Sequence, residues 1–456
     1  MSINFTEPAS FRDPSGFIFH HQHQIFRQVN ISYRENYDLL FSSGLYQKLI
    51  VKNLLIPHEE SNLAAPKPEI AYRILAPETI PFISYPYEWS FSQLKAAALL
   101  TLQIQEIALA HGMVLKDASA YNVQFRQGQP VFIDTLSFEK YEPGAPWSAY
   151  GQFCRHFLAP LALMHFTDVR LSQLLRVHLD GISLDLASKL LPWKTWSHFS
   201  LLSHLHLHAR SQQKYASEAT SIRNLNIGEA GLKHLTAHLK TAINKLNWQP
   251  KGTEWADYYA ETNYSDSSFA HKKRLIRLLT SKEKPKTVWD LGANTGEFSQ
   301  LAAEKAGQVI AFDVDPAAVE KHYRLNRLPN VLPLLLDLTN PSPALGWQNL
   351  ERQNLTDRGP AGMIMALALI HHLAISNNLP LKRIADFFSR HCQTLLIEFV
   401  PKTDSQVQKL LVTRPDIFPQ YNQTSFEAIF STVFSIEGIY PISESERTLY
   451  FMRVKS

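Results

Sequence analysis

The stretch KTVWDLGANTGEF, residues 286–298, constrains the fold of this chain more than any other part of its sequence. Val288 and Trp289 favour a buried strand, and Gly292 and Gly296 then follow four residues apart. An apolar helical pattern begins directly after the second glycine. The stretch therefore predicts a strand, a tight turn and a helix. At that turn the backbone can approach a ligand, because glycine has no Cβ.

The spacing within this turn distinguishes between two kinds of ligand. A dinucleotide site needs G-x-G-x-x-G, but counting from Gly292 the second and third glycine positions hold Asn294 and Glu297. The spacing present is Asp290, Gly292, Gly296, with an acidic residue entering the turn. This favours a cationic, ribose-bearing cofactor such as S-adenosylmethionine. A glycine turn in some other α/β protein is the alternative.

Strand and helix patterns alternate regularly after this turn. The predicted strands end in a hairpin and are Gln308–Phe312, Val331–Leu336, Met363–Leu369, Thr394–Phe399, Phe434–Tyr440 and Arg447–Val454. Such alternation is typical of a Rossmann-like, doubly wound parallel sheet, to which the hairpin adds an antiparallel edge. Ligands of these sheets bind at the carboxyl ends of the strands. We therefore expect the cofactor at that rim.

Carboxylates follow three of the predicted strands. Asp313 is placed to bind both ribose hydroxyls, Asp337 to face the adenine amino group with Leu338 against the ring, and Asp290 to lie near the cationic amino-acid end. Taken singly, each could be a helix cap or a loop residue. Their joint order at the strand ends, with Asn294 in the turn, predicts a cofactor site.

The end of the fourth predicted strand carries His371 and His372 in place of the D/N-P-P-Y/F sequence of enzymes that methylate exocyclic amines. A histidine here could act as the general base for a hydroxyl acceptor. It could instead only pack or position the substrate. We take both histidines as the catalytic candidates.

A second constellation lies in the N-terminal half. Asp117 and Asn122 are five residues apart on a loop, and a following strand ends at Asp134. This is the D-x-x-x-x-N…D pattern of protein kinases and aminoglycoside phosphotransferases, which would bind Mg²⁺ and ATP. Residues 49–56 are predicted to form a strand that carries Lys52 as the candidate phosphate-binding lysine.

Several features depart from that pattern. Leu115-Lys116 precedes Asp117, Thr135-Leu136 follows Asp134, and no glycine-rich phosphate loop is present. The triad could therefore only cap and brace a loop, or its pocket could serve to recognise a substrate. The predicted organisation is a kinase-like α+β domain at 1–215, a helical linker at 216–253 and a methyltransferase domain at 254–456.

Composition limits the remaining functions. The 45 basic residues nearly balance the 41 acidic ones among 456, and no stripe of basic and aromatic residues is visible, so nucleic acid is a less favoured partner than a small molecule or a glycan. Two cysteines are too few for a disulfide framework, and the histidine-rich runs are not predicted to bind a metal. Without a leader or an apolar stretch long enough to span a bilayer, we expect a cytoplasmic protein. The oligomeric state is not predicted.

Longer segments resemble one family. WDLGANTGEFSQLA, ALALIHHLAISNNLP and LLIEFVPKTDSQVQKLL in the C-terminal half, with SYPYEWSFSQLKAAALLTLQ and LKDASAYNVQF in the N-terminal half, are similar to a bacterial group of class I methyltransferases that includes nodulation-associated proteins. The resemblance implies methyl transfer from S-adenosylmethionine. It supports the same cofactor residues and leaves the acceptor site open around His371, His372, Glu398 and Tyr264.

Three hypotheses follow from these patterns. In the first, the C-terminal half transfers a methyl group and the kinase-like half binds or presents the acceptor. In the second, a bifunctional enzyme also phosphorylates a small hydroxyl compound. In the third, the chain is a non-catalytic module that senses the cofactor. The acceptor and its reacting atom are not predicted.

Overall fold

The computed structural model describes residues 5–209, 227–250, 265–412 and 414–455. They belong to two compact units. The N-terminal unit comprises Met1–Trp248 together with Leu345–Arg352, and the C-terminal unit comprises Gln249–Ala344 together with Gln353–Ser456. Within the described ranges, no helix is long and apolar enough to cross a membrane.

The N-terminal unit begins with an antiparallel sheet of five strands in the order β1-β2-β3-β5-β4. The strands are β1 Phe5–Thr6, β2 Gly16–His21, β3 Gln24–Asn30, β4 His58–Glu60 and β5 Ala71–Pro77. Strands β2 and β3 form a hairpin around the histidine-rich turn. Apolar side chains from the alternate faces of these strands pack into small buried clusters.

The predicted strand over 49–56 is wrong. Two helices precede β4 instead, α1 Arg34–Ser42 and α2 Leu45–Val51. Leu45 and Leu49, one helical turn apart, are both fully buried, whereas Lys52 follows the end of α2 and is exposed. A short apolar run fits both periodicities, and here packing of one helical face decided between them.

The apolar run that begins at Phe91 forms a long helix, α3 Phe91–Ala110. Ser90 and Gln93 form a capping box at its N-terminus, which satisfies backbone N–H groups that the helix leaves unpaired. Short elements follow: β6 Met113–Leu115, β7 Val123–Arg126, β8 Gln129–Phe132, β9 Phe138–Lys140, α4 Tyr150–Phe153, α5 Ala159–Phe166, α6 Leu174–Val177, α7 Leu184–Leu190 and α8 Phe199–Leu201.

The next described helix, α9 Glu229–Lys245, falls within the predicted linker but packs on α3. Lys240 of α9 forms an ion pair with Glu106 of α3 at 2.9 Å. The apolar stripe of α9, including Leu239 and Ile243, is fully buried. This helix is therefore part of the N-terminal unit.

The C-terminal unit is the predicted α/β sheet. Seven strands run in the order β12-β11-β10-β13-β14-β16-β15, and β10 to β14 are parallel. Their bounds are β10 Thr287–Leu291, β11 Gln308–Asp313, β12 Val331–Leu335, β13 Ala361–Ala366, β14 Cys392–Phe399, β15 Phe434–Pro441 and β16 Thr448–Val454. The antiparallel pairing of β16 with both β14 and β15 confirms the predicted edge hairpin.

Helices connect these strands: α10 Asp266–Glu283, α11 Glu297–Ala303, α12 Pro316–Leu325, α13 Leu381–His391, α14 Ser405–Val412 and α15 Gln423–Phe430. One difference from the predicted strands affects the rim. The fourth strand ends at Ala366, not at Leu369, because Ala368 has a φ of +51° and cannot continue a strand. The chain turns there and enters a π-helical segment, His372–Ser376.

Candidate active site

A cavity of about 340 Å³ lies at the carboxyl ends of the parallel strands of the C-terminal unit. It is lined by Gly292, Asn294, Phe312, Asp313, Val314, Leu336, Asp337, Leu338, Thr339, Leu367, Ala368, Leu369, His372, Leu373, Ser376, Asn377 and Leu410. Six predicted site residues are therefore brought together. The lining is mostly apolar with a few polar groups, which is typical of small-molecule and cofactor sites.

Asp313 is a buried carboxylate in the lining of this cavity, and two backbone N–H groups fix its position. Its Oδ2 accepts a hydrogen bond from the backbone N–H of Asn294 at 2.7 Å, and its Oδ1 accepts one from the N–H of Asp315 at 2.9 Å. Burial raises the pKa of Asp313 to about 6, although these backbone donors act to lower it. The side chain is thus fixed in the cavity lining and is ionised at neutral pH.

Packing against buried side chains restricts which residues the glycine turn can contain. Gly292, Asn294 and Gly296 all have positive φ angles, of +77°, +50° and +85°. A Cβ on Gly296 would lie 2.0 Å from Nε2 of the buried His322, so a larger residue cannot fit. Gly296 does not line the cavity. Of the two glycines expected to admit a ligand, Gly292 alone lines the cavity.

Asp290 lies behind the cavity lining and is 1% exposed. Its Oδ2 accepts a hydrogen bond from the hydroxyl of Ser299 on α11 at 2.6 Å, which ties the end of β10 to the following helix. Burial raises its pKa to about 7, with the negative charge of Asp313 adding to the effect and Ser299 and Lys272 opposing it. This position supports the turn.

The buried Asp290 predicts a pH-dependent stability. Its folded pKa of about 7 exceeds the ordinary value of an unfolded aspartate, so stability falls as pH rises from about 4 to about 7. Asp290→Asn keeps an acceptor for Ser299 but removes this titration. We expect the variant to gain up to a few kcal/mol relative to the natural chain at pH 8 and little at pH 4.5.

Thermal unfolding at the two pH values measures the difference. Asp357→Asn, at an exposed aspartate in the same unit, is the control and should follow the natural chain at both. An equal gain for Asp290→Asn at pH 4.5 and pH 8 would contradict the prediction.

The third carboxylate, Asp337, follows β12 and is exposed. Its Oδ1 accepts hydrogen bonds from the N–H of Thr339 at 2.8 Å and from the hydroxyl of the same residue at 2.7 Å. These bonds form a local turn that sets the direction of the side chain. Leu338, the next residue, also lines the cavity and presents an apolar surface.

The two candidate histidines differ in position. His372 lines the cavity, and burial followed by the charge of Arg447 lowers its pKa to about 4. His371 is outside the lining, 1% exposed, with its ring centroid 4.1 Å from that of His372. Neither ring nitrogen of His371 has a hydrogen-bond partner among the described residues. Both rings are neutral at pH 7, and only His372 can meet a ligand in the cavity.

Several lining residues carried no sequence signal. Ser376 and Asn377 lie about one helical turn beyond His372, and Leu410 comes from α14, far along the chain. Ser376 and Asn377 are visibly polar in the sequence, but the π-helical segment His372–Ser376 is what brings them to the cavity. No periodicity of the sequence indicates such a segment. Tyr264, considered with the acceptor site, lies outside the described residues.

Two members of the N-terminal triad, Asn122 and Asp134, are joined through Ser137. The amide of Asn122 donates to the hydroxyl of Ser137 at 3.2 Å, and that hydroxyl in turn donates to Asp134. Asp134 also forms an ion pair with Arg27 of β3. Burial raises the pKa of Asp117, and the charge of Asp134 contributes to this shift. The acids are thus close, and an arginine already neutralises one of them.

Lys52, which was predicted to lie on a strand, is an exposed residue at the end of a helix. Arg27 is the cation that sequence reasoning missed. It lies on β3, in an alternating strand pattern that was visible, but only the fold brings it to Asp134. Among the described residues, no group of three or more His, Cys, Asp or Glu side chains could hold a metal ion.

Residues 345–352 follow β12 in sequence but belong to the N-terminal unit. Glu351 of this hairpin accepts two hydrogen bonds from Arg12, at 2.8 and 2.6 Å. The guanidinium of Arg352 lies 4.1 Å from the ring centroid of Tyr121, next to Asn122 of the triad. Within the N-terminal unit, residues 345–352 therefore pack close to the loop that carries Asn122.

Comparison with known proteins identifies the enzyme class. Residues 270–390 match the family described as FtsJ-like methyltransferase. Among solved structures, the N-methyltransferase NodS from Bradyrhizobium japonicum WM9 is 12% identical and covers 42% of this chain and 100% of its own, with a TM-score of 0.32. The magnesium protoporphyrin IX methyltransferase ChlM from Synechocystis PCC 6803 is 16% identical and covers 44% and 93%, with a TM-score of 0.31.

One relative matches almost the whole chain. The nodulation protein NoeA of Rhizobium meliloti (strain 1021) is 36% identical over 457 residues, which cover 97% of this chain and 94% of that protein. The predicted family resemblance and enzyme class are confirmed. The chain belongs to the family of nodulation protein NoeA and is a methyltransferase that uses S-adenosylmethionine.

Proposed function

We propose that the cavity at the rim of the C-terminal sheet binds S-adenosylmethionine and that methyl transfer occurs beside His372. One observation carries the proposal. The turn residues Gly292 and Asn294 and the carboxylates Asp313 and Asp337 all line the same cavity. A buried carboxylate can accept hydrogen bonds from both ribose hydroxyls. Leu338 offers an apolar contact for the adenine ring.

In this proposal Asp290 and Gly296 support the turn and do not touch the cofactor. The hydrogen bond from Ser299 to Asp290 and the contact of His322 with Gly296 support this assignment. Asp290 precedes Gly292 and Asn294, which line the cavity, and Gly296 follows them. The two contacts therefore fix the backbone on both sides of these residues. Their substitution should therefore affect cofactor binding through folding of the turn.

We propose that the acceptor is a hydroxyl group of a small molecule or a glycan. His372 is neutral in the cavity wall, so it can accept a hydrogen bond from a hydroxyl and orient its oxygen towards the methyl group. A low pKa makes it a weak base, which favours orientation over full proton removal. The leucines around it exclude water from the reacting atoms.

The proposal keeps a kinase-like N-terminal domain that presents the acceptor, and a location in the cytoplasm. It also keeps the predicted linker at 216–253, whose helix α9 packs on the N-terminal domain. Two buried, unbridged cysteines, Cys154 and Cys392, agree with a reducing compartment. Phosphotransfer is the weaker alternative. Arg27 already pairs with Asp134, the residue that would have to bind Mg²⁺.

Calorimetric titration and thermal shift with S-adenosylmethionine test the cofactor assignment. We expect binding and an increase in Tm, since a ligand at 100 times its Kd stabilises the folded state by about 2.7 kcal/mol. The same titration with Mg-ATP should give no heat and no shift. Absence of any response to S-adenosylmethionine would refute the cofactor site, whereas a magnesium-dependent response to ATP would revive the bifunctional hypothesis.

The acceptor is sought by comparing metabolites of a deletion strain with those of the parent. The parent should contain a compound heavier by one methylene than its counterpart in the deletion strain. Incubation of deletion-strain extract with the pure protein and methyl-labelled S-adenosylmethionine should then label that compound. Label in an amine instead of an ether would contradict the hydroxyl assignment.

A further inference from the structure

Ala368, in the wall of the cavity, has a backbone conformation that alanine rarely adopts. Its φ of +51° lies in the left-handed region, and it is the second residue after the end of β13. Leu367, Ala368 and Leu369 all line the cavity, and a Cβ on Gly292 would lie 3.3 Å from Leu369. Such a conformation persists only when its surroundings hold it.

A buried carboxylate holds this turn. Oε2 of Glu398, near the end of the neighbouring strand β14, accepts a hydrogen bond from the backbone N–H of Ala368 at 2.8 Å. Glu398 is fully buried. The bond joins the ends of the adjacent parallel strands β13 and β14 at the rim, beyond the last residue pair between them.

Glu398 is itself fixed by buried charges from other segments. Nζ of Lys272 on α10 donates to the same Oε2 at 2.6 Å. Nη1 of Arg447 lies 3.9 Å from Oε1, and Arg447 also donates to Asp404 at 2.8 and 3.1 Å. Two cations and two anions therefore balance one another with almost no exposure to solvent.

A network of four buried charges is not an efficient way to stabilise a fold. Removing four charges from water is unfavourable, and well-packed apolar residues of similar volume often stabilise a protein as well or better. What the network does provide is one acceptor for the N–H of Ala368, held in place by Lys272 and Arg447. Charge-assisted hydrogen bonds of this kind are stronger than neutral ones.

We propose that Glu398, clamped by Lys272 and Arg447, is a positioning residue that holds the Ala368 turn in its left-handed conformation and so shapes the cavity wall. The role rests on the proposed function, because the wall concerned is that of the cofactor cavity. Glu398 itself does not line the cavity. It acts on the ligand only through Leu367, Ala368 and Leu369.

The test separates the hydrogen bond from the charges. In Lys272→Met with Glu398→Gln, both charges of the closest pair are removed but the side chain of residue 398 keeps an acceptor oxygen. In Lys272→Met with Glu398→Leu, the acceptor is lost as well. We expect the first double variant to bind S-adenosylmethionine within about threefold of the natural chain and the second to bind at least about tenfold more weakly, a difference of about 1.4 kcal/mol per tenfold.

A rescue identifies the turn as the element concerned. Ala368→Gly adopts the left-handed conformation without strain, so adding it to the leucine variant should restore most of the lost affinity. Equal binding by the glutamine and leucine variants would overturn the proposal, and so would a leucine variant that glycine fails to restore. If the leucine variant does not fold, recovery of the folded protein by Ala368→Gly supports the proposal, and no recovery counts against it.

Failure of the cofactor site itself gives a different result. If the natural chain does not bind S-adenosylmethionine, the proposed function is refuted, and the Tm values of the same variants decide the role of Glu398. The glutamine variant should then unfold at a higher temperature than the leucine variant, and Ala368→Gly should narrow the gap. Identical Tm values for the two would overturn the positioning role.

Discussion

Replacement of Asp313 by alanine should reduce the affinity for S-adenosylmethionine at least about 100-fold, because two hydrogen bonds to a charged group contribute about 1.5 to 3 kcal/mol each. Asp313→Asn should have an intermediate effect, since an amide keeps one acceptor oxygen. Asp313→Ala also removes the acceptor for the N–H of Asn294, so part of its loss of affinity reflects disorder in the turn. Isothermal titration calorimetry measures the change.

Asp315→Asn is the matched control for this experiment. Asp315 lies two residues away and caps α12 by accepting from the N–H of Ala317 at 2.8 Å, a role that asparagine fills equally well. Its affinity should stay within about twofold of the natural chain. A comparable loss in both variants would show that the effect arises from the α12 terminus and not from a contact of Asp313 with the cofactor.

The pH dependence of binding offers an independent check on Asp313. Its pKa of about 6 in the free protein means that the carboxylate is protonated over much of the population at pH 5 and ionised at pH 7.5. An ionised carboxylate is the better acceptor for hydroxyl donors, so affinity should rise with pH across this range and then level off. The Asp313→Asn variant should lack this rise.

Gly296→Ala should destabilise the C-terminal unit by about 2 to 4 kcal/mol, combining overpacking with the cost of a left-handed residue. The new Cβ would lie 2.0 to 2.4 Å from three ring atoms of His322, which is 1% exposed. For a unit of this size, we expect a decrease in Tm of roughly 5 to 15 °C. Differential scanning calorimetry measures it.

The double variant Gly296→Ala with His322→Ala distinguishes the two costs. Removing the ring abolishes the clash, so Gly296→Ala made in that background should cost only about 1 kcal/mol, the remaining backbone strain. Gly228→Ala provides a control glycine, because a Cβ there would contact nothing within 4 Å and its φ is −63°. A full loss in both backgrounds would contradict the role assigned to His322.

Much of the C-terminal unit could be predicted because its signals are local. Strand and helix periodicities, the turn at Gly292 and the position of carboxylates after strands all lie within a few residues of one another. Parallel topology then brings Asp313 and Asp337 to one rim without further information. The predicted strand containing Lys52 failed because its eight residues, 49–56, form a short apolar run that fits a helix as well as a strand. Burial of Leu45 and Leu49 on one helical face decided between the two.

By itself, the sequence determined the class of the enzyme, its cofactor and a parallel sheet with an antiparallel edge hairpin, since these depend on short-range patterns and on one turn. Only the tertiary structure decided which of the predicted residues line the cavity. Asp290 and Gly296 lie behind it, and His372 faces it whereas His371 does not. The buried partners Ser299, His322 and Glu398 come from distant segments or other elements, and packing selects such contacts through geometry that no local period encodes.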